Sequence, residues 1–338
     1  MIKANAYGHG AVWAARTLQN EPGIYGLGVA TLEEGQEVRS ALPSHSTLPV
    51  IVFSGAMPWS EEAGTFCEKH RLRPVIADYQ DLCTFLSQGW SRKIPYDLKF
   101  NTGMNRLGMD SDCWSEISSL YRNHDHPPPF SVMTHLAIAE SPEHKKSREQ
   151  KKKLETLFDV SRTVFPKSLF HVANSACIWN AKKWGKKAAG DLSRPGLSLY
   201  GIPPWSGAAA KGLRPVMTIR GRILQTRELP AGVTIGYGAH YRTKKRERIG
   251  ILGAGYADGL HRMLSNRGSV REGNSLRPVL GTISMDLSAV RLSKKSRAGD
   301  WVTLLGKGMD PWKQAEAAGT IPYEILTSVS NRVERKYV

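Results

Sequence analysis

From Ile24 to about Gly201 short apolar runs alternate with amphipathic stretches, and beyond Gly201 that alternation stops. Tyr25–Ala30, Pro49–Phe53, Arg73–Ala77, Asp97–Phe100, Ser131–Leu136 and Leu169–Ala173 have the length and apolar content of buried strands. Between them Leu32–Leu42, Tyr79–Leu86, Cys113–Tyr121, Ser147–Val164 and Ser175–Lys183 carry helical spacing. Strands alternating with helices predict parallel βαβ units. Repeated this often, they predict a (β/α)8 TIM-type barrel in preference to a short doubly wound sheet. The stretch PPWSGAAA (203–210) reads as a linker. After it come the strand candidates Val216–Arg227, Arg248–Gly253, Arg277–Leu292 and Asp300–Leu305, joined by glycine- and proline-rich connections (LPAGVTIGYG, VREGNSLRP). This texture predicts a mostly antiparallel β domain. The expected division is a barrel over 1–210, short at its N-terminus, and a β domain over 211–338.

At the chain's start, Ile2 to Ala4 read as the end of a buried strand, and Ala11 to Gln19 (AVWAARTLQ) as an amphipathic helix. The glycines between them suit a tight turn whose backbone N–H groups approach a phosphate. A lysine at a parallel strand's carboxyl end points into the ligand crevice. Lys3 therefore stands where an amine could condense with the aldehyde of pyridoxal 5'-phosphate (PLP) beside a seat for its phosphate.

Composition changes the picture little. The 338 residues are 41% hydrophobic and 23% charged, ordinary for a soluble globular protein with room for two domains. No apolar run is long enough to span a bilayer, and no secretory signal is visible. Cys67, Cys83, Cys113 and Cys177 are widely spaced, which suggests reduced thiols in a cytoplasmic protein and neither a disulfide frame nor a metal site. The formal charge of +17 would permit anion binding. Its densest runs, KKSREQKKK (145–153) and KKWGKK (182–187), read as solvated helix faces, so neither a nucleic-acid nor a membrane partner is expected.

Eight segments carry candidate chemistry: KANAYGHG (3–10), DLKFNTGMNRLG (97–108), Thr134-His135, HVANSA (171–176), DLSRPGLSLYG (191–201), GYADG (255–259), GTISMD (281–286) and IPYE (321–324). In this order they resemble the signatures of the alanine racemases, from Lys3 to the end of the chain. That resemblance implies a barrel followed by a β domain, and PLP-dependent interconversion of L- and D-alanine by two opposed bases. D-alanine so formed would supply cell-wall peptidoglycan. A broad-specificity amino-acid racemase of the same fold and a non-catalytic PLP-binding protein are the alternatives.

By the same resemblance Lys3 binds the cofactor and serves the D-isomer face, while Tyr256 serves the L-isomer face. A tyrosine's ordinary pKa of about 10 calls for cationic help, which a His135–Arg194 relay would supply. Arg106 meets the substrate carboxylate as a bidentate fork, joined by the Met285 backbone N–H. Lys99 is a candidate for carbamylation, which requires an amine made neutral by burial. Tyr7, Ser175 with Asn174, Gly196, Leu197 and Tyr323 surround the phosphate. Arg194 faces the pyridine nitrogen; because it does not give up its proton, the ring stays unprotonated and favours simple proton exchange. The role of His171 is less defined. Asn101 and Asn105 depart from the family's usual aspartate and glycine. The family's head-to-tail homodimer would share each active site between subunits. It also normally has a helix and strand ahead of the cofactor lysine, so an upstream segment with any export signal is a further expectation.

Overall fold

The computed structural model describes residues 1–209 and 212–338, so the division expected at 210/211 lies outside the described residues. The chain forms two compact units. One comprises Met1–Ala6 and Gly10–Leu199, the other Tyr7–His9 and Tyr200–Val338.

The first unit is a parallel sheet of seven strands in sequential order: β1 (Leu27–Val29), β2 (Val50–Val52), β3 (Leu72–Ile76), β4 (Asp97–Lys99), β5 (Ser131–Met133), β6 (Leu169–Asn174) and β7 (Leu192–Arg194). The first five are buried at every position, as expected of strands covered on both faces. Residues 1 and 2 bridge the sheet's two edges. Met1 N donates to Pro195 O just past β7 (3.1 Å), and Ile2 N–H donates to Gly28 O of β1 (2.8 Å). This dipeptide holds the eighth-strand position of an α/β barrel. The helices between strands start at side-chain caps: Thr31 accepts from Glu34 N–H, Ser60 from Ala63 N–H, and Asp78 from Gln80 and Asp81 N–H.

The structure departs from the predicted elements at several points. Helix Glu61–Lys69 is additional to them, because its few apolar positions give a weak periodic signal. The helix expected over 175–183 is interrupted at Asn180, which ends Ser175–Trp179 and precedes Ala181–Trp184. The expected strand end at Ile2–Ala4 is cut short. From Ala4 to Tyr7 the backbone is left-handed (φ 52, 52, 53 and 52°), continuing through Gly8 at φ 79°. Each non-glycine residue held this way costs about 1–2 kcal/mol. Hydrogen bonds from Ala6 N to Ile2 O (2.8 Å), Gly10 N to Asn5 O (2.9 Å) and Ala4 N to Glu34 Oε1 (2.7 Å) offset that cost. Glu34 Oε2 also accepts from Ala30 N–H (2.7 Å), so one carboxylate ties this turn to the end of β1.

The second unit is a closed antiparallel barrel built from β8 (Ile219–Leu229), β11 (Glu247–Leu252), β12 (Ser269–Glu272), β13 (Ser275–Leu280), β14 (Ser288–Arg291) and β15 (Trp301–Leu305). A small ladder of β9 (Thr234–Ile235) and β10 (Tyr241–Arg242) stands beside it. The single run expected over 277–292 is two strands, with GTISMD looped out between them. Two short helices are also additional to the predicted elements, Pro311–Ala318 and Pro322–Thr327, each with proline in its first turn. Gly8 packs against the second: a Cβ there would lie 2.1 Å from Leu326 O, so only glycine fits.

Candidate functional site

In the first unit the ends of the strands gather cations. Lys3 follows the residue 1–2 segment, Lys99 closes β4, His135 lies just past β5 and Arg194 ends β7. Arg106 is exposed on the loop after β4. Burial, then the charges of Arg106, Arg194 and Lys3, lower the Lys99 pKa to about 8. Burial followed by Arg194, Lys99, Arg106 and Lys3 lowers His135 to about 3. Lys3, Lys99, Arg106 and Arg194 thus form one electropositive basin around a neutral His135, suited to phosphate and carboxylate groups.

Arg194 is the most constrained member. Its Nη1 donates to His171 O (2.9 Å), and its Nη2 to Thr134 O (2.7 Å) and Val172 O (3.0 Å). His171 Nδ1 lies 2.6 Å from Nη1 and His135 Nδ1 3.2 Å from Nη2. Burial pulls the guanidinium down to about 10, leaving it charged at neutral pH.

The two histidines carry a pH signature. Burial, then Arg194, holds His171 well below its ordinary 6.5, and His135 is at about 3. An unfolded chain would take up both protons near pH 6.5, whereas the folded one refuses them. Their contribution to stability is therefore present above pH 6.5 and is lost as pH falls from there towards 3. Urea midpoints should drop between pH 7 and 4.5, and His135→Gln should flatten that slope. A midpoint that does not move with pH would contradict the burial of neutral imidazoles.

Beside this basin is a set of hydrogen-bond donors. Asn174 caps the helix after β6, accepting from Cys177 N–H (3.0 Å). Ser175 Oγ accepts from Gly196 N–H (2.9 Å) and Ser198 N–H (3.3 Å). Leu197 lies between those two with its side chain fully buried. Ser198 Oγ is buried and has no hydrogen-bond partner among the described residues. The unpartnered Ser198 hydroxyl, with the Ser175 hydroxyl and the two N–H groups that now converge on Ser175 Oγ, is a donor set that would fit a phosphate taking the place of those two bonds. Nothing in the sequence singles out Ser198 for this role. The helix starting at Ala11 is a poorer phosphate seat than its glycines suggest, because Ala11 N–H already donates to Asn5 Oδ1 (2.8 Å).

In the second unit Tyr7 packs against Tyr200 and Tyr323, with ring centroids 5.0 and 5.8 Å apart. Burial pushes the Tyr7 and Tyr200 hydroxyls well above the ordinary tyrosine range. The loops GYADG and GTISMD interlock. Tyr256 N–H donates to Ser284 O and Ala257 N–H to Met285 O, both at 3.0 Å. Arg332 clamps the pair, reaching Asp258 at 2.7 Å and Asp286 at 2.8 Å. A Cβ on Gly255 would lie 2.2 Å from Met285 O, so this approach also requires glycine. The Tyr256 and Met285 side chains remain 43% and 53% exposed.

This arrangement coincides with a family assignment over nearly the whole chain. The model described as "Alanine racemase, N-terminal domain" matches residues 1–204, and "Alanine racemase, C-terminal domain" matches 216–337. The chain belongs to the alanine racemase family. Among similar family members, the alanine racemase of Thermodesulfovibrio yellowstonii is 38% identical across all of this chain and 89% of its own length. The solved biosynthetic alanine racemase of Pseudomonas aeruginosa superposes with a TM-score of 0.87 at 31% identity, covering 100% of this chain and 91% of that one. The Bartonella henselae alanine racemase, solved with covalently bound pyridoxal phosphate, gives a TM-score of 0.87 at 29% identity and the same coverage.

Proposed function

We propose that the protein is a PLP-dependent racemase interconverting L- and D-alanine, with residues 1–210 holding the cofactor and 211–338 supplying the second base. Family membership supports the reaction. The observation that carries the assignment to these residues is the basin itself: a donor-only Arg194 anchored by backbone carbonyls, beside the buried, unpartnered Ser198 hydroxyl. When bound, PLP supplies an aldehyde for the substrate amine and a ring that withdraws the electron pair left when Cα loses its proton.

Lys3 holds the cofactor and moves the Cα proton on the D-isomer face, while the partner subunit's Tyr256 moves it on the L-isomer face. Arg106 binds the substrate carboxylate with the partner subunit's Met285. Ser175, Gly196 and Leu197 hold the phosphate with Asn174 beside them, and Ser198 joins the set. Tyr7 and Tyr323 donate hydroxyls to the same group. Arg194 holds the ring nitrogen unprotonated by facing it with a donor, and His135 links Arg194 to the tyrosine. Lys99, lowered to about 8, has enough neutral amine near pH 7 to add dissolved carbon dioxide and release a proton, forming a carbamate.

A homodimer is part of this reading. Tyr237, Tyr256, Met263, Met285 and Leu287 leave large apolar side chains exposed on the second unit, which suits an interface. The four cysteines are free thiols, in keeping with a cytoplasmic enzyme that makes D-alanine for peptidoglycan. No helix among the described residues is long and apolar enough to cross a membrane.

Purified protein incubated with PLP and L-alanine should produce D-alanine to a 1:1 mixture, followed by chiral chromatography, and should sediment as a dimer. Dimeric, PLP-loaded protein that leaves both enantiomers unchanged would overturn the reading. Parallel rates on serine and lysine would measure how broad the pocket is.

A further inference from the structure

Beneath Arg194 a continuous chain of buried polar groups crosses the first unit. Arg194 Nη1 lies 2.6 Å from His171 Nδ1, and His171 Nε2 lies 2.7 Å from Ser131 Oγ. Ser131 Oγ donates to Asp97 Oδ1 at 2.7 Å, and Arg73 Nε donates to Asp97 Oδ2 at 3.0 Å. Arg73 Nη1 continues to Tyr25 OH at 3.0 Å. Asp97 is 0% exposed, and Arg73, Ser131 and His171 are buried with it. These residues come from β3, β4, β5 and β6, so the rigid sheet sets their spacing.

Counting protons leaves one arrangement. A guanidinium can only donate, so His171 Nδ1 must accept from Arg194 and the imidazole proton must sit on Nε2. Nε2–H then donates to Ser131 Oγ, whose own proton goes to Asp97. From Arg194 to Ser131 and from Arg73 Nε every donor points towards the carboxylate, while Arg73 Nη1 points outward to Tyr25. Burial raises the Asp97 carboxyl above its ordinary range, against the opposing pulls of Arg73, the Ser131 hydroxyl and the Ser131 N–H. An ion pair with a buried arginine and two further donors is the environment in which such a carboxylate stays charged.

We propose that Asp97 and Ser131 are positioning residues that lock His171 in its Nε2–H tautomer and thereby fix the direction in which Arg194 presents its guanidinium to the cofactor ring. An isosteric amide cannot replace the carboxylate. With its oxygen towards Ser131, the amide introduced by Asp97→Asn would aim an NH2 at the Arg73 donor. Reversed, the same amide would donate to Ser131, which would turn its proton towards His171 Nε2. The imidazole proton would then move to Nδ1 and oppose an Arg194 donor 2.6 Å away. This rests on the proposed role of Arg194, but the tautomer itself can be read without turnover.

The test uses 15N-histidine-labelled protein with and without PLP. Long-range imidazole spectra are recorded for wild type, Asp97→Asn, Ser131→Ala and Ser131→Thr, with the His171 signal assigned by its loss in His171→Asn. Wild type should show the Nε2–H form. Asp97→Asn should lose its uniqueness and Ser131→Ala should shift the His171 Nε2–H signal by removing its acceptor, and both should shift the absorbance of bound PLP and lower kcat about 10–100-fold with a smaller change in KM. Ser131→Thr keeps the hydroxyl and should restore the wild-type tautomer and spectrum. A retained Nε2–H form with unchanged absorbance and kcat in Asp97→Asn and Ser131→Ala would overturn the proposal. So would activity that falls only in step with the melting temperature while the tautomer stays fixed. Wild type that shows the Nε2–H form yet does not racemise alanine would sink the activity and leave the tautomer comparison to decide the relay.

Discussion

Replacing Lys3 with alanine should leave a folded protein that no longer turns yellow with PLP and has lost racemase activity by about 10⁴-fold or more. The fold should survive because the bonds holding the turn run from Ala6 N to Ile2 O and from Gly10 N to Asn5 O, none through the lysine side chain. The activity should not, because the proposed roles place both the cofactor's anchor and one of two proton carriers on that single amine. Neighbouring Lys99, at about 8, also offers neutral amine near pH 7, so the variant tests position as well as chemistry. Absorbance before and after borohydride, with the modified lysine located by mass spectrometry, gives the readout. Label on Lys99 in place of Lys3 in the wild type would refute the assignment.

The second large effect is expected at Tyr256. Tyr256→Phe keeps the ring and the backbone bonds to Ser284 and Met285, and with 43% of the residue exposed little stability is at stake. Only the hydroxyl is removed, and the proton step on the L-isomer face should slow by about 10²–10⁴-fold. Because overall equilibrium ties the forward and reverse rates together, steady-state ratios cannot reveal which face is affected. Exchange can. In deuterated water the variant should wash deuterium into recovered D-alanine through Lys3 while L-alanine keeps its Cα proton. Deuterium entering L-alanine at the wild-type rate would show that another group serves that face.

How far these residues can be read without coordinates depends on how local their signals are. Val50–Val52 and its neighbours are visible as strands because fully buried parallel strands leave unbroken apolar runs. Helix Glu61–Lys69 leaves a trace in Ser60 and the acidic pair Glu61-Glu62, a start signal that its sparse apolar positions do not reinforce. The left-handed turn after Lys3 is invisible because alanine and tyrosine carry no mark of positive φ, the single asparagine suggests one such residue and not four in a row, and the glycines point only to a generic turn. Glu34, Asp97 and Ser131 act on partners about 30 residues away in sequence, so no spacing rule connects them. Ser198 is hidden for a subtler reason. It sits inside a recognised motif, yet only three-dimensional geometry shows that its hydroxyl is buried and unsatisfied.

The threading of residues 7–9 bears on how the protein is made. Arg335 Nε donates to Gly8 O (3.0 Å) and Tyr337 OH to His9 O (3.2 Å), so the tail of the polypeptide fastens onto a tripeptide translated more than three hundred positions earlier. Closing so long a loop is entropically slow. The second unit therefore gains this strap late in folding, and until then it lacks a piece of itself.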